Sequence, residues 1–255
     1  MRVYRVRDAV MPKEHGSWSL AFEPVALGCL VAPSLAGGWL ALAIAAGFFA
    51  RRPLRSVWRD HDVFRRATAW RALVGLSLIA VFGLLGAIVT GGPDALVWLM
   101  PSLAAGAGFL FFDLRNAGRE ECAEILGAFT FGWMPAVFAA WAGWPPIACF
   151  ALAVLMIGRA VPTVLVVRTC LRGAKTRTWK IAPALMSSGV SLVLAVFLFG
   201  RGSLPVGGVV LLGLLAARAF FLLVVPRPVL RARTLGMFEA VIGVAFVLSA
   251  GLLRW

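Results

Sequence analysis

The chain is short of acid. Aspartate and glutamate together number 11 against 25 lysines and arginines, and histidine occurs only twice. The two histidines, His15 and His61, lie too far apart in sequence to suggest haem or a metal centre. The four cysteines, Cys29, Cys122, Cys149 and Cys170, show no CxxC spacing, so neither a zinc site nor a disulfide framework is expected. Charge of either sign is scarce: charged residues make up 14% of the chain, where a soluble domain carries about a quarter. That scarcity argues against a soluble protein. No polar stretch is long enough to fold as a domain of its own.

What fills the sequence instead is apolar. Hydrophobic residues account for 61% of 255 positions and the mean hydropathy is +0.91. The apolar residues come in runs of the length that crosses a hydrocarbon core of ~30 Å, about 20 residues of helix. Nine spans are predicted, over 17–35, 37–50, 69–91, 95–113, 122–143, 145–168, 181–200, 204–226 and 234–253. The second is the shortest, and its helix is expected to continue into the basic stretch after Ala50. The fold class is thus all-α, a polytopic membrane bundle.

The connecting segments alternate in character. One set, around Pro33–Gly38, Gly91–Asp94, Gly143–Pro146 and Gly200–Ser203, is short, rich in Gly and Pro, and nearly uncharged. The other carries the arginines: Arg51, Arg52, Arg55, Arg59, Arg65, Arg66 and Arg71, then Arg115 and Arg119, then Arg168 and Arg172, with further cations near both termini. The excess of positive charge on cytoplasmic loops places this second set, and the N-terminus, in the cytoplasm. A formal charge of +14 distributed this way marks orientation in a lipid bilayer and contact with anionic lipids, and gives no support to nucleic-acid binding. No cleaved signal peptide is expected, because Glu23 interrupts the first apolar run.

Charged motifs follow the second and sixth helices, four helices apart. This divides the chain into a cytoplasmic segment (1–16), two four-helix halves (17–113 and 122–226) and a ninth helix (234–253), all one membrane domain. Arg51, Arg55 and Arg59 recur every fourth residue, on one helical face, and Arg168 and Arg172 repeat the step. Pro53 interrupts the first series. Two such clusters at one end of a bundle are expected to face a shared polar cavity. Arginine suits an anion there because its planar fork donates two parallel hydrogen bonds.

This order resembles that of the UbiA-type intramembrane prenyltransferases, a four-plus-four-plus-one bundle with motifs after helices two and six. That resemblance implies an isoprenoid phosphate substrate and prenyltransferase-like chemistry. The sequence departs from it at the motifs, which are arginines here and Asn/Asp-rich in that family. Mg²⁺ needs oxygen ligands, so no metal and no cofactor is expected. A second resemblance rests on Met11-Pro12-Lys13-Glu14-His15-Gly16-Ser17-Trp18, on Arg159–Arg168, and on Leu235-Gly236-Met237-Phe238-Glu239. In these segments the chain is similar to the YwiC-like family of bacterial membrane proteins. It implies a multi-pass protein of the bacterial inner membrane and no particular reaction.

Four ionisable residues lie inside predicted spans: Glu23, Arg159, Arg218 and Glu239. At ~1.5 Å per residue they sit roughly 9–14 Å below the cytoplasmic boundary, two acids and two bases in one layer. A lone charge in lipid costs at least ~2.5–3.5 kcal/mol near mid-membrane, so these residues are expected to pair or to line a wet cavity. Arg218 and Glu239, on consecutive helices, are the expected direct pair, leaving Glu23 and Arg159 for each other or for a ligand. Catalytic candidates are few: His15, whose reference pKa of about 6.5 suits acid–base work, with Glu23 and Glu239. Asp60-His61-Asp62 reads as a solvated turn. Three functions fit: binding of an amphiphilic anion (a lipid or isoprenoid phosphate) in a cytoplasm-facing cavity, small-anion transport, or non-catalytic membrane assembly through helix faces.

Overall fold

The computed structural model describes residues 10–11, 15–176, 181–225, 232–253 and 255. Among these there is no strand. Ten α-helices follow one another: α1 (His15–Val31), α2 (Leu35–Arg59), α3 (Val63–Gly91), α4 (Met100–Leu114), α5 (Glu121–Gly132), α6 (Met134–Trp141), α7 (Pro146–Thr176), α8 (Ala182–Gly200), α9 (Val206–Val224) and α10 (Ala232–Gly251). A 3₁₀ turn, Asp94–Leu99, runs directly into α4. α5 and α6 are two parts of one apolar rod. Pro135 supplies no N–H for the carbonyl one turn earlier, and the helix breaks at Trp133.

Seven helical rods among the described residues are long and apolar enough to cross a membrane: Val63–Gly91, Asp94–Leu114, Glu121–Trp141, Pro146–Arg172, Ala182–Gly200, Val206–Val224 and Thr234–Gly251. The chain is therefore a multi-pass membrane protein. The first two predicted spans fall short of that standard. The apolar part of α1 is Trp18–Val31, and that of α2 gives way to arginine at position 51. α2 does run on through Pro53 to Arg59. Two boundaries differ from expectation: α7 runs on to Thr176 where its span was expected to end at 168, and α3 begins early. α3 starts at Val63, so Arg65 and Arg66 are helical where a loop was expected. The cause is Asp62, whose carboxylate accepts the backbone N–H groups of Phe64 and Arg65 at 2.9 and 3.2 Å and caps the helix.

Lipid offers no hydrophobic gain for helix association, so close packing of small residues has to hold the bundle. The core shows that composition, with Ala21, Ala36, Ala87, Ala136, Ala139 and Ala151 buried around Leu27, Leu40, Phe138 and Leu152. α7 is the most buried rod and packs against α5, α6, α8 and α9. α10 packs chiefly on α1 and only lightly on α9, the reverse of the tight α9–α10 hairpin that sequence order suggests. α3 is the most exposed, pairing along its length with α2 and turning Leu78, Phe82 and Val89 outward.

Gly83 makes the α2–α3 pairing possible. A Cβ there would lie 2.8 Å from the Trp39 carbonyl oxygen and 2.9 Å from the Ala43 nitrogen, both backbone atoms that cannot swing aside. Gly83→Val is expected to force the helices apart and cost about 1–3 kcal/mol, the usual range for overpacking. Thermal unfolding of the purified protein checks this. Gly75→Ala, in open space on the same helix, should cost nothing.

The turns collect at two ends. At one, Trp141 Nε1 donates to the Gly92 carbonyl at 2.9 Å, and the Trp144 and Trp255 rings lie 6.0 Å apart. An open cavity of about 460 Å³ lies there, lined by Trp144, Pro145, Ser203, Pro205 and Trp255 among others, with no charged side chain among the described residues that line it. The arginines gather at the opposite end.

Candidate functional site

Charge is organised in two layers. The deeper one joins four helices in an alternating chain, Glu23–Arg159–Glu239–Arg218. Glu23 Oε2 lies 3.5 Å from Arg159 Nη2, and Arg159 Nη1 lies 3.8 Å from Glu239 Oε2. Glu239 Oε1 in turn pairs with Arg218 Nη2. Arg159 also donates to the Glu239 main-chain oxygen at 3.0 Å and to Thr163 Oγ1, and Ser19 Oγ donates to Glu23. The Arg159 side chain is 3% exposed and that of Glu239 9%, so nothing but these partners compensates them. Neither Glu239 carboxylate oxygen has a well-directed hydrogen bond, and Arg159 Nε has no acceptor. The layer is held by charge more than by geometry. Its two acids and two guanidinium groups sum to zero, the condition under which a buried ionic cluster is tolerated in lipid.

The fold explains why these residues meet although they span most of the sequence. α7 runs through the middle of the bundle and carries Arg159 inward; α1 and α10 pack against each other and present Glu23 and Glu239 to it. Gly243 on α10 leaves room for the Glu23 carboxylate, which occupies the place a Cβ would take.

The shallower layer lies at the arginine-rich end and is built around the loop 115–120 between α4 and α5. Arg51, from α2, forks onto Asp113, with Nε to Oδ2 at 3.0 Å and Nη2 to Oδ1 at 3.1 Å. Its guanidinium carbon also sits 4.5 Å over the Phe109 ring. Arg55, one turn on, lies 3.8 Å from the same carboxylate and donates to the Asn116 amide oxygen at 2.6 Å. From the other side, Arg168 on α7 pairs with Glu124, reaches Glu121 at 3.7 Å and donates to the Arg119 carbonyl at 2.7 Å. Arg172 donates to that carbonyl at 3.1 Å. The two arginine clusters thus converge on one loop from opposite sides.

Six arginines were expected to bind an anion: Arg51, Arg55, Arg59, Arg159, Arg168 and Arg172. The structure brings Arg51 and Arg55 together, and likewise Arg168 and Arg172. It leaves Arg59 exposed at the end of α2 and places Arg159 in the deeper layer. No carboxylate was named from the sequence as a partner for either arginine cluster. Spatially the partners are Asp113, Glu121 and Glu124. A signal for them existed, since four of the eleven acids fall within 113–124. Among the catalytic candidates, Glu23 and Glu239 are both committed to ion pairs, and the His15 side chain lies outside the described residues.

A helical bundle with a neutral ionic core and a cationic rim defines a polytopic membrane protein. Within that class the chain belongs to the YwiC-like family, whose model matches residues 11–139. The match takes in α1 to α5 and most of α6, hence Glu23, Arg51, Arg55 and the whole loop 115–120, and stops before Arg159, Arg218 and Glu239. Of the three segments that carried the resemblance in sequence, only the N-terminal one lies inside it. Nothing among curated proteins and nothing among solved structures matches the chain.

Proposed function

We propose that this is a bacterial inner-membrane protein that binds an amphiphilic anion, a lipid or isoprenoid phosphate, by its head group at the arginine-rich, cytoplasmic end. The observation that carries this is the charge imbalance at Asp113. Two guanidinium groups share one buried carboxylate, and Arg55, 43% exposed, holds it only at 3.8 Å. Arg55 therefore has donors within reach of a phosphate oxygen arriving from the aqueous boundary. Nine crossings in a UbiA-like four-plus-four-plus-one order, with the N-terminus cytoplasmic, belong to the same reading. The division at 17–113, 122–226 and 234–253 goes with it. The gathering of Gly/Pro turns at one end and arginines at the other supports that order. Small-anion transport through Arg159 is less well supported, because two carboxylates and a backbone carbonyl already engage that residue.

Native mass spectrometry of the detergent-purified protein tests the reading. A single phosphate-bearing species is expected on the parent protein and on Arg66→Ala, an exposed arginine of α3, but not on Arg55→Ala. Bulk phospholipid retained equally by all three would reduce the arginines to orientation signals.

A further inference from the structure

The loop 115–120 is pinned by ion pairs at its two ends and by neutral acceptors between them. Before it, Asp113 holds Arg51; after it, Glu121 and Glu124 hold Arg168. Between these ends, Arg55 donates to the Asn116 amide oxygen, and Arg168 and Arg172 donate to the Arg119 carbonyl. Arginines from both clusters thus spend donors on uncharged oxygens of one exposed turn. An ionised phosphate offers a guanidinium a full negative charge and a bidentate fit that a neutral carbonyl or amide oxygen does not. The contacts across the middle of the loop are the ones a phosphate would displace, while the ionic ends would stay in place. Asn116 adds to this, since it holds φ at 66°, in the left-handed region that favours glycine and asparagine.

We infer that the loop 115–120 is a lid over the phosphate site, closed by the same arginine donors that a phosphate monoester recruits. The inference rests on the proposed anion-binding function and adds the element that regulates access. In the empty state Asn116 and the Arg119 carbonyl occupy the donors. A phosphate monoester, free in solution or carried by a lipid, exchanges with them and releases the turn from both sides.

Hydrogen exchange of the full chain in phosphatidylcholine nanodiscs reads the lid directly. One arm adds inorganic phosphate, and the other adds phosphatidic acid to the bilayer. The amides of Asn116, Ala117 and Glu120, bonded to the carbonyls of Asp113, Phe112 and Ala117 at 3.1, 2.8 and 2.8 Å, are expected to exchange several-fold faster on binding, with α4 and α5 unchanged. Acceleration with phosphatidic acid alone assigns the head group to lipid; acceleration with inorganic phosphate assigns it to the soluble anion. Asn116→Gly keeps the positive φ and removes one competing acceptor, so it is expected to bind the effective anion roughly tenfold tighter, the worth of one charge-assisted hydrogen bond. If an anion binds while the loop amides stay unchanged or slow, the lid is overturned and the anion-binding function stands. If neither arm binds above phosphatidylcholine alone, both are overturned.

Discussion

Glu239→Gln is expected to be among the most damaging single substitutions in the bundle. Within the deeper layer Glu239 is the acid shared by two arginines. Its neutralisation leaves Arg159 and Arg218 with Glu23 alone, and Glu23 lies 3.5 Å from Arg159. A buried layer that summed to zero then carries a net positive charge between helices. Breaking a buried pair in this way costs about 3–5 kcal/mol, and thermal unfolding in detergent should register it as a large fall in midpoint or as loss of the folded protein. The charge origin can be separated from lost packing. Adding Arg218→Met to Glu239→Gln restores neutrality and should recover most of the loss. Glu23→Gln is expected to cost less than Glu239→Gln, because Arg159 keeps Glu239. Equal costs for the two, with no recovery in the double variant, would mean the layer is held by shape and not by charge.

The second large effect is at the rim. Arg51→Ala removes both strong hydrogen bonds to Asp113, whose side chain is 4% exposed, and leaves Arg55 at 3.8 Å as its cation. The expected cost is about 3 kcal/mol, the low end for a broken buried pair, since Arg55 compensates in part. The converse change should be milder. In Asp113→Asn the group left behind is Arg51, which is 29% exposed and can be hydrated. Asp113→Asn should also rescue Arg51→Ala, because the stranded charge is gone. A double-mutant cycle on unfolding midpoints checks the asymmetry.

These two sites also mark where the sequence was legible. The deep layer could be placed because a charge inside an apolar run is conspicuous and helix rise gives its depth; all four members lie in one cluster. The expected Arg218–Glu239 pair is present and Glu23 meets Arg159, but the middle link from Arg159 to Glu239 was not read from the sequence. Arg159, with its central place on α7, became the bridge between Glu23 and Glu239, and α10 docked on α1, a non-local contact that no periodicity encodes. At the rim, arginine spacing drew attention to Arg51, Arg55, Arg168 and Arg172. Their partners flank or lie on the intervening loop, Asp113 at the end of α4, Asn116 on the loop, and Glu121 and Glu124 in the first turn of α5, and share no spacing with them. Boundaries failed where capping decided them, as at Asp62, which turned expected loop arginines into the first turns of α3. The reach of α2 and α7 beyond their apolar parts was visible only in part, since a helix end in water is set by capping and solvation and not by hydropathy.

The cytoplasmic placement of the arginine-rich end is the claim on which the anion site and the lid both depend, and thiol labelling of intact cells tests it most directly. In a background with Cys29, Cys122, Cys149 and Cys170 changed to alanine, a single cysteine is placed at Arg115, the first residue of the lid, or at Arg201, at the opposite end; both positions are exposed. A membrane-impermeant maleimide is expected to label Arg201→Cys in intact spheroplasts and Arg115→Cys only after lysis. Labelling of Arg115→Cys from outside would place the arginines in the external medium and contradict the account.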